Sequence, residues 1–569
     1  MTTTVADTIA TALRRHGVDV IFGQSNPPSL LLAAERAGIR QFFYRTENAG
    51  GAMADGFSRV SRRISVIAVQ NGPAATLAVA PMSEALKASI PMLVLVQETP
   101  AAQRDRNAFQ EFDHVALFAS VSKWTRTIGH PSRVADYLDQ AITVATSGRP
   151  GPVVLLLPAD LLDLPDQPAM FPRSVSGGTF PRDRYRPDAA AVFRTASLIA
   201  EAEMPIVIAG GGVHISGATA ELEKLLETGC LPVATTNMGK GSVSEESPWS
   251  LGVAANIAGK NGPAHFHLPL ISGADVVLLV GTRTNQNGTD GWTLTPPGAT
   301  YIHIDIDGGE IGRNYEALRL AGDARSALVD LTVALQEVDL KKRRQKASLL
   351  RDAIAQARHS HKATVSSLLH SDSVPIAPER LMFELDALLG PKDIVVADAS
   401  YASVWVNAYL TARRAGQRFL LPRGQAGLGW GLPLAIGAKL ASPDARVIAI
   451  VGDGGFAHVW AELETALRER TPVVVIVLNN GLLAMQRHGE NAVFGRTTTA
   501  IRFRDVDHAA IATAVGVRAK SISRPGDIRP ALIQALESEI CTVLDVAVDP
   551  KAHAPVRWLD GHEGKLNRS

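Results

Sequence analysis

The stretch Arg446-Val447-Ile448-Ala449-Ile450-Val451-Gly452-Asp453-Gly454-Gly455 joins an apolar run to an acidic, glycine-rich turn. A second apolar run, residues 473–478, ends in Asn479-Asn480-Gly481. Short apolar runs bounded by turn residues predict buried strands. Open parallel sheets bind ligands beyond the carboxyl ends of their strands. We therefore expect Asp453 and Asn480 to lie close together at that edge of a sheet.

The residues of these two turns are suited to a metal-bound phosphate. Carboxylate and carboxamide oxygens are hard ligands for Mg²⁺ or Ca²⁺, which phosphate oxygens and water complete. The glycines after Asp453 let the backbone approach a phosphate, and a helical pattern from Phe456 onward would direct its N-terminus at the anion. Asn479-Asn480-Gly481 is also good chemistry for an ordinary turn, and Asn479 would then only shape it. A metal-bridged diphosphate anchor is the first prediction.

The composition indicates a large protein without a strong charge bias. With 569 residues, 46% of them hydrophobic, the chain can bury several cores, and three domains are expected. The 57 basic and 56 acidic residues balance, so no electrostatic footprint points to nucleic acid or to an anionic membrane. A basic cluster at residues 341–344 is interpreted as the solvated face of a linker helix.

The cysteines and the N-terminal segment indicate the cellular compartment in which the protein is expected. Cys230 and Cys541 are too far apart in sequence to indicate a disulfide framework or a zinc site. The N-terminal segment lacks the basic start and apolar stretch of a signal peptide, and no apolar run of 18 residues suggests a membrane span. These features predict a soluble, cytoplasmic protein with no membrane partner.

Short apolar strands alternate with helical patterns three times along the chain. This alternation predicts an α/β fold of three doubly wound parallel-sheet domains, at residues 1–165, 189–340 and 376–550. A Pro-, Gly- and Ser-rich linker covers 165–188, and a polar segment at 341–375 is helical and then extended. The tail, 551–569, is either loose or an ordered lid. Further predicted strands are residues 20–22, 41–46, 65–69, 92–96, 153–157, 205–209, 276–280 and 301–305.

Three stretches, in this order, resemble the signature of thiamine-diphosphate (ThDP) enzymes: residues 46–59, beginning Thr46-Glu47-Asn48-Ala49-Gly50, residues 427–438, and the Asp453–Asn480 pair. The first departs from the usual His-Glu-Gln-Gly-Ala form of the family. The resemblance covers most of the chain and is greatest to the acetolactate-synthase-like branch, including residues 147–153 and 304–307. It implies that the three domains are the pyrimidine-binding, middle Rossmann-like and diphosphate/Mg-binding domains.

The resemblance also implies roles for individual residues. Glu47 would be catalytic, hydrogen-bonding the aminopyrimidine ring so that a ring nitrogen takes the thiazolium C2 proton; from local sequence alone, a carboxylate favoured at a helix N-terminus is an equal explanation. Asp453, Asn480 and the backbone carbonyl of Leu482 would bind Mg²⁺. Leu428 would support the bent cofactor, although plain core packing also explains it. Gly452, Gly454 and Gly455 would approach the diphosphate.

Other candidates follow from the same resemblance. Gln110 is a candidate catalytic residue, and Asn71 and Met485 are candidates for cofactor binding. His488, by contrast, lies where the segment after Asn480 departs from the acetolactate-synthase-like branch. It would shuttle protons if this segment faces the cofactor, and the alternative is a mobile surface loop. Gly489 stands where the acetolactate synthase branch carries Trp.

Glycine clusters in the middle domain are one feature of dinucleotide-binding sites. Gly210-Gly211-Gly212, Gly281-Thr282-Arg283 and residues 302–307 each belong to or follow a predicted strand, but their spacing is not Gly-x-Gly-x-x-Gly. The family resemblance implies a middle domain that holds FAD, an adenine nucleotide or nothing.

The implied function is ThDP- and Mg²⁺-dependent cleavage or decarboxylation of a 2-oxo acid, with possible transfer of the acyl carbanion to a second carbonyl. An enzyme similar to 2-hydroxyacyl-CoA lyase or oxalyl-CoA decarboxylase, with an acyl-CoA substrate, is an alternative. A second alternative is a simple decarboxylase similar to benzoylformate decarboxylase. A third is a non-catalytic or nucleotide-binding homologue. The resemblance implies a homodimer or homotetramer with its active site at the subunit interface, where Glu47 of one chain faces Asp453 of another.

Overall fold

The computed structural model describes residues 3–566. Their strands form three six-stranded sheets in which neighbouring strands are parallel, with helices between the strands. This arrangement confirms the predicted α/β fold with three parallel-sheet domains. In the described part of the chain, no helix is long and apolar enough to cross a membrane.

The first domain has the strand order β2-β1-β3-β4-β6-β5. Its strands are β1 (Val20–Gly23), β2 (Arg40–Phe42), β3 (Ser65–Val69), β4 (Met92–Glu98), β5 (Trp124–Thr127) and β6 (Val153–Pro158). Its helices are α1 (Val5–Arg15), α2 (Pro28–Arg36), α3 (Glu47–Ser61), α4 (Pro73–Leu77), α5 (Val79–Ala88), α6 (His114–Phe118), α7 (Val134–Thr146) and α8 (Ala159–Leu162).

The middle domain orders its strands β12-β11-β10-β7-β8-β9. The strands are β7 (Pro205–Ala209), β8 (Val233–Thr235), β9 (Ser250–Val253), β10 (Val276–Val280), β11 (Thr300–Asp305) and β12 (Ala317–Ala321). The helices are α9 (Ala189–Glu201), α10 (Gly212–Ser216), α11 (Thr219–Gly229), α12 (Pro263–Ser272), α13 (Ala324–Gln336) and the long α14 (Lys341–Leu369), which leads to the third domain.

The third domain orders its strands β14-β13-β15-β16-β18-β17. The strands are β13 (Ile394–Ala397), β14 (Phe419–Leu420), β15 (Val447–Gly452), β16 (Val474–Asn479), β17 (Arg518–Ile522) and β18 (Thr542–Ala547). The helices are α15 (Pro378–Asp386), α16 (Tyr401–Tyr409), α17 (Gly431–Ala441), α18 (Asp453–Phe456), α19 (Glu462–Arg468), α20 (Ala484–Phe494), α21 (His508–Val515) and α22 (Ile528–Leu536).

The first and third sheets share one topology. Numbered within each domain, both read 2-1-3-4-6-5, although the two domains show no legible sequence repeat. In each, the chain leaves the first strand towards one edge and returns on its other side, which creates a crevice at the carboxyl ends of the first and third strands. The crevice of the third domain lies between the ends of β13 and β15, beside Asp453.

The first and third domains pack directly on each other through α3 and α17. A Cβ atom added at Gly56 would lie 2.3 Å from the carbonyl oxygen of Leu434, and one at Gly437 would lie 1.9 Å from that of Met53. Only glycine permits backbones to approach this closely. One continuous hydrophobic core includes side chains from both domains.

The strands that sequence patterns failed to indicate include edge strands. β5, β12 and β17 each border their sheet, and each carries exposed or half-exposed residues. Because they lack the apolar runs of buried strands, their pattern does not stand out. The strand expected at 41–46 is shorter, Arg40–Phe42, so Thr46 instead caps α3.

The basic cluster at 341–344 is not only a solvated face. Arg343 is fully buried, and its guanidinium donates to the carbonyl of Cys230 at 2.9 Å. It also contacts the carbonyl of Gly229, the last residue of α11, and that of Glu203, which follows α9. Arg343 therefore fastens the linker helix α14 to the middle domain.

The tail is ordered over residues 551–566. Arg557 forms an ion pair with Asp290 of the middle domain at 2.9 Å, and Lys260 pairs with Glu563. Val556 and Leu559 are buried. The expectation of a loose tail is wrong for this part, while residues 567–569 lie outside the described range.

Candidate active site

Asp453 and Asn480 come together at the carboxyl ends of β15 and β16. The two strands pair in parallel, with Gly452 opposite Leu478. Asp453 Oδ2 accepts a hydrogen bond of 2.8 Å from the amide of Gly481, and Asn480 Oδ1 accepts one of 3.2 Å from that of Leu482. The convergence expected from the sequence is therefore present.

Burial makes this carboxylate receptive to a cation. Asp453 is 6% exposed, and its burial raises the pKa of its carboxyl group to about 6. A buried carboxylate gains from a positive charge that offsets its lost hydration. No cluster of three or more His, Cys, Asp or Glu side chains suited to a metal occurs in residues 3–566. A metal here would depend on one carboxylate, one carboxamide and backbone oxygen, a set that suits Mg²⁺ better than zinc.

A cavity of about 590 Å³ opens beside this pair. Its walls come from loops and helices of the third domain, and they also include Asp398, Tyr401 and Trp405. The sequence-predicted residues that line it are Leu428, Gly452, Asp453, Gly454, Gly455, Asn480, Leu482 and Met485. The predicted metal and diphosphate residues thus line one space.

Two glycines let the turn after β15 pack closely against its neighbours. A Cβ atom at Gly455 would lie 2.1 Å from Asp398 Oδ2, and one at Gly454 would lie 2.8 Å from the ring of Phe503. The helix expected from Phe456 onward instead begins at Asp453 and ends at Phe456. The helix begins three residues before the predicted position because Gly454 and Gly455 are themselves part of its single turn.

Asp398 is a site residue that sequence reasoning missed. It directly follows β13, is 1% exposed and accepts hydrogen bonds from the amides of Ala399, Gly429 and Trp430 at 2.8, 3.0 and 3.1 Å. It thereby fixes the turn that brings Leu428 to the cavity. Its signal in the sequence was an acidic residue after the apolar run 394–397, at the crevice between the first and third strands.

The segment after Asn480 forms α20, which has one side on the cavity. Met485 lines the cavity, but His488 does not. His488 is fully buried behind Tyr401, whose hydroxyl lies 2.7 Å from His488 Nδ1. In this chain Tyr401 lines the cavity and His488 does not, so the proton-shuttle role of His488 stays a prediction. The alternative of a mobile surface loop does not hold for this helical segment.

Gly489 faces the tail. A Cβ atom added there would lie 3.2 Å from the Cη2 atom of Trp558. The indole of Trp558, 43% exposed, thus covers the position from which a larger side chain at 489 would project. A larger side chain at 489 would therefore press against Trp558 of the tail.

The first domain holds the other predicted residues, and none of them lines this cavity. Glu47 begins α3 and is 9% exposed. The preceding amides of Arg45 and Thr46 donate to the carboxylate of Glu462 at 3.2 and 3.3 Å. This contact ties the Glu47 segment to α19 of the same chain, away from Asn480 and Leu482.

Asn71 and Gln110 belong to a polar cluster at the crevice of the first sheet. Asn26 Nδ2 donates to Gln70 Oε1 at 3.1 Å, and Gln70 Nε2 donates to Gln110 Oε1 at 2.9 Å. Asn71 Nδ2 donates to the backbone carbonyl of Gln110, which has φ +58°. The carboxamides that follow β1, β3 and β4 therefore form one connected surface.

A buried histidine holds the turn at residues 71–73. His114 Nε2 accepts from the amide of Gly72 at 3.0 Å, so its Nδ1 carries the proton that bonds Glu98 Oε1 at 2.6 Å. Glu98 and His114 are 8% and 2% exposed. Sequence reasoning did not single out this pair, because its members end β4 and begin α6 without forming a motif.

A second, larger cavity of about 1050 Å³ lies where the three domains meet. The glycine clusters of the middle domain line it together, and a Cβ at Gly210 would lie 2.3 Å from the carbonyl oxygen of Gly281. Burial raises the pKa of Asp305, which also lines it, to about 6. Cationic lining residues are Lys87, Arg149, Arg283 and Arg423.

Comparison with known proteins gives matches along the whole chain. Three family models match: the N-terminal TPP binding domain of thiamine pyrophosphate enzymes at residues 3–117, their central domain at 192–331, and their C-terminal TPP binding domain at 398–546. These matches confirm the resemblance noted in the sequence.

Individual relatives are similar over nearly their full length. A probable acetolactate synthase large subunit of Methanocaldococcus jannaschii is 32% identical, with 97% of this chain and 93% of the relative covered. The acetolactate synthase isozyme 3 large subunit of Escherichia coli K12 is 29% identical, with 96% and 95% covered. A glyoxylate carboligase of Escherichia coli O157:H7 is 28% identical, with 92% and 88% covered.

Proposed function

The chain belongs to the thiamine pyrophosphate (ThDP) enzymes, in their acetolactate-synthase-like branch, and we propose that it is a carboligase that decarboxylates a 2-oxo acid and joins the remaining acyl unit to a second carbonyl. One observation carries this proposal. Asp453, Asn480 and Leu428 line a single cavity at the switch point of the third sheet. That is the place where an α/β sheet binds a ligand.

The cavity residues fit a Mg²⁺-bound diphosphate. Asp453 and Asn480 would hold Mg²⁺ through side-chain oxygens and Leu482 through its carbonyl, while the backbone of Gly454 and Gly455, which line the cavity, would face the phosphate oxygens. Leu428 would support the cofactor rings. When bound, ThDP supplies a nucleophilic carbon that adds to a carbonyl and accepts the electrons released as CO₂ leaves. The protein's part is to orient the reactants and exclude water.

We place Glu47 in the active site of a neighbouring subunit. It lies outside the cavity of its own chain, on a different domain. The carboxamide cluster of Asn26, Gln70 and Gln110 is on that domain too, at the crevice of the first sheet. A homodimer or homotetramer in which this face of one chain meets the cavity of another would complete the site, with Glu47 holding or donating a proton at the cofactor ring.

The cavity between the three domains suits an adenine nucleotide or FAD. Glycines follow β7 and β10, and Asp305 at the end of β11 is placed to accept from a ribose hydroxyl. Arg149, Arg283 and Lys87 supply positive charge for phosphates. Acid release from the purified protein followed by mass spectrometry would identify a resident nucleotide. Extraction of none, with no change of melting temperature on adding FAD or ADP, would contradict this assignment.

The reaction is tested by incubating the protein with ThDP, Mg²⁺ and either pyruvate or glyoxylate, and recording products by proton NMR. We expect a carbon–carbon coupled product from one of the two, and acetolactate if pyruvate is the donor. The Asp453→Ala variant is the control for a contaminating enzyme. Both acids remaining intact, with ThDP bound, would contradict the proposal.

A further inference from the structure

The loop at residues 421–430 carries Leu428 to the cofactor cavity, yet its middle is exposed. It connects β14 to α17. Gln425 and Ala426 face solvent, and Ala426 has φ +61°, a conformation that disfavours a side chain. An exposed and strained loop keeps one conformation only if contacts outside it impose that conformation.

One end of the loop is fixed within its own domain. The Asp398 carboxylate accepts from the amides of Gly429 and Trp430. This contact acts on the residues that follow Leu428 and leaves the residues before it without support from Asp398.

The other end is fixed by Glu84 of the first domain. Glu84 Oε1 accepts from the amide of Gly424 at 2.8 Å, and Oε2 accepts from that of Gln425 at 2.5 Å. Hydrogen bonds from two amides to one carboxylate are short and strong. Glu84 lies on α5 and is 1% exposed, so no water competes for them.

Arg59 of α3 holds Glu84 and the loop together. Its guanidinium donates to Glu84 Oε1 at 3.3 Å and to the carbonyl of Leu421, at the start of the loop, at 2.8 Å. Asp55 accepts two further bonds from the same guanidinium, at 2.7 and 2.8 Å. The cluster is thus a buried, hydrogen-bonded set of charges that spans the boundary between the two domains.

The loop lies directly against α5. A Cβ atom added at Gly424 would lie 2.5 Å from the backbone oxygen of Glu84 and 2.9 Å from its Cδ atom. Any side chain at 424 would push the loop off Glu84. The glycine and the carboxylate therefore act as one contact.

We propose that Glu84 is a positioning residue for cofactor binding: from the first domain, through Gly424 and Gln425, it sets the position of Leu428 in the cavity of its own chain. The proposal rests on the proposed function only in naming ThDP as the occupant of that cavity. In the same chain, α3 carries Arg59 near one end and Glu47 at its beginning.

Two substitutions break the contact in different ways. Glu84→Gln keeps the shape but removes one acceptor oxygen, and Gly424→Ala keeps the carboxylate but displaces the loop. Each is expected to raise the Kd for Mg²⁺–ThDP by about tenfold. This is the loss of affinity typical of one charge-assisted hydrogen bond. Quenching of tryptophan fluorescence reports binding, because Trp405 lines the cavity.

Asp139→Asn is the matched control. Asp139 is also a buried carboxylate of the first domain, 5% exposed and paired with His16 at 2.6 Å, but its hydrogen-bond and ion-pair partners do not include the loop. It should lower the melting temperature while leaving the Kd unchanged, which separates positioning from a general loss of stability.

Hydrogen exchange in the cofactor-free protein gives a readout that does not need ThDP. In Glu84→Gln the amides of Gly424 and Gln425 should exchange about tenfold faster or more, and in Asp139→Asn they should not change. Unchanged exchange and unchanged Kd in both Glu84→Gln and Gly424→Ala would overturn the proposal. If wild-type protein fails to bind ThDP, the proposed function fails, and the exchange experiment still decides the role of Glu84.

Discussion

Asp453 Oδ2 and the amide of Gly481 form a hydrogen bond of 2.8 Å that joins the ends of two neighbouring parallel strands. Gly481 has φ +69°, so the turn that supplies this amide favours glycine. The same turn presents Asn480. The backbone therefore fixes the separation of the two proposed metal ligands before any ion binds, which lowers the entropic cost of assembling the site.

Asp453→Ala should abolish Mg²⁺-dependent ThDP binding. The substitution removes the only carboxylate among the proposed ligands, and metal sites depend strongly on each charged ligand. Calorimetry is expected to show an affinity loss of about a hundredfold or more. Asp444→Asn, an exposed carboxylate close in sequence, should bind as wild type does. Equal binding by Asp453→Ala would remove Asp453 from the metal site.

Glu47→Gln should retain ThDP binding and lose most turnover. Glu47 does not line the cavity that holds Asp453, so the diphosphate anchor is left intact. A neutral amide cannot exchange a proton with the cofactor ring, and loss of a general acid or base costs roughly a hundredfold or more in rate. Steady-state kinetics with the exposed Glu35→Gln variant as control would measure this. Wild-type turnover in Glu47→Gln would contradict the proposed role.

Gly489→Trp should destabilise the protein by displacing the tail. The added side chain would begin 3.2 Å from the ring of Trp558. We expect a lower melting temperature and faster proteolysis beyond Pro550. The double variant Gly489→Trp, Trp558→Ala should recover part of the loss because it vacates the space. A single variant as stable as wild type would show that Trp558 does not restrict this position.

Glu379 should make stability depend on pH. Burial raises the pKa of this carboxyl group to about 7 in the folded protein, against 4.5 for its ordinary value. Its protonated form therefore stabilises the fold below about pH 4.5, and this contribution is lost as the pH rises through about 7. The loss amounts to about 3 kcal/mol.

Glu379→Gln removes that titration. The variant should melt at a higher temperature than wild type at pH 8 and at a similar temperature near pH 5. The exposed Glu537→Gln variant should follow wild type at both. A Glu379→Gln variant that follows wild type at both pH values would show that Glu379 is not buried as a neutral acid.

The third-domain part of the site could be predicted from sequence because its residues directly follow two strands. Asp453 and Asn480 end apolar runs, and parallel pairing alone brings such positions together. The strand pattern likewise indicated the fold class, since buried parallel strands are continuous apolar runs. Leu428 needed the family resemblance, because a leucine between glycines has no chemical signal of its own.

Other contacts could not be predicted because they join distant segments without a pattern. Glu84 and Gly424 are 340 residues apart, and His114, which accepts a hydrogen bond from the amide of Gly72, begins the separate helix α6. The sequence predicts proton transfer by His488 only if its segment faces the cofactor. The structure buries His488 against Tyr401, whose hydroxyl lies 2.7 Å from His488 Nδ1, and this contact between two separate helices has no signal in the sequence.

The most direct test of a site built from two chains is co-expression of Glu47→Gln and Asp453→Ala subunits carrying different affinity tags. Each homomeric variant should be inactive. In a mixed dimer, one of the two sites combines an intact Glu47 with an intact Asp453. Doubly purified complexes should therefore turn over at about half the wild-type rate. Mixed complexes as inactive as their parents would contradict the account, because each site would then need both residues from a single chain.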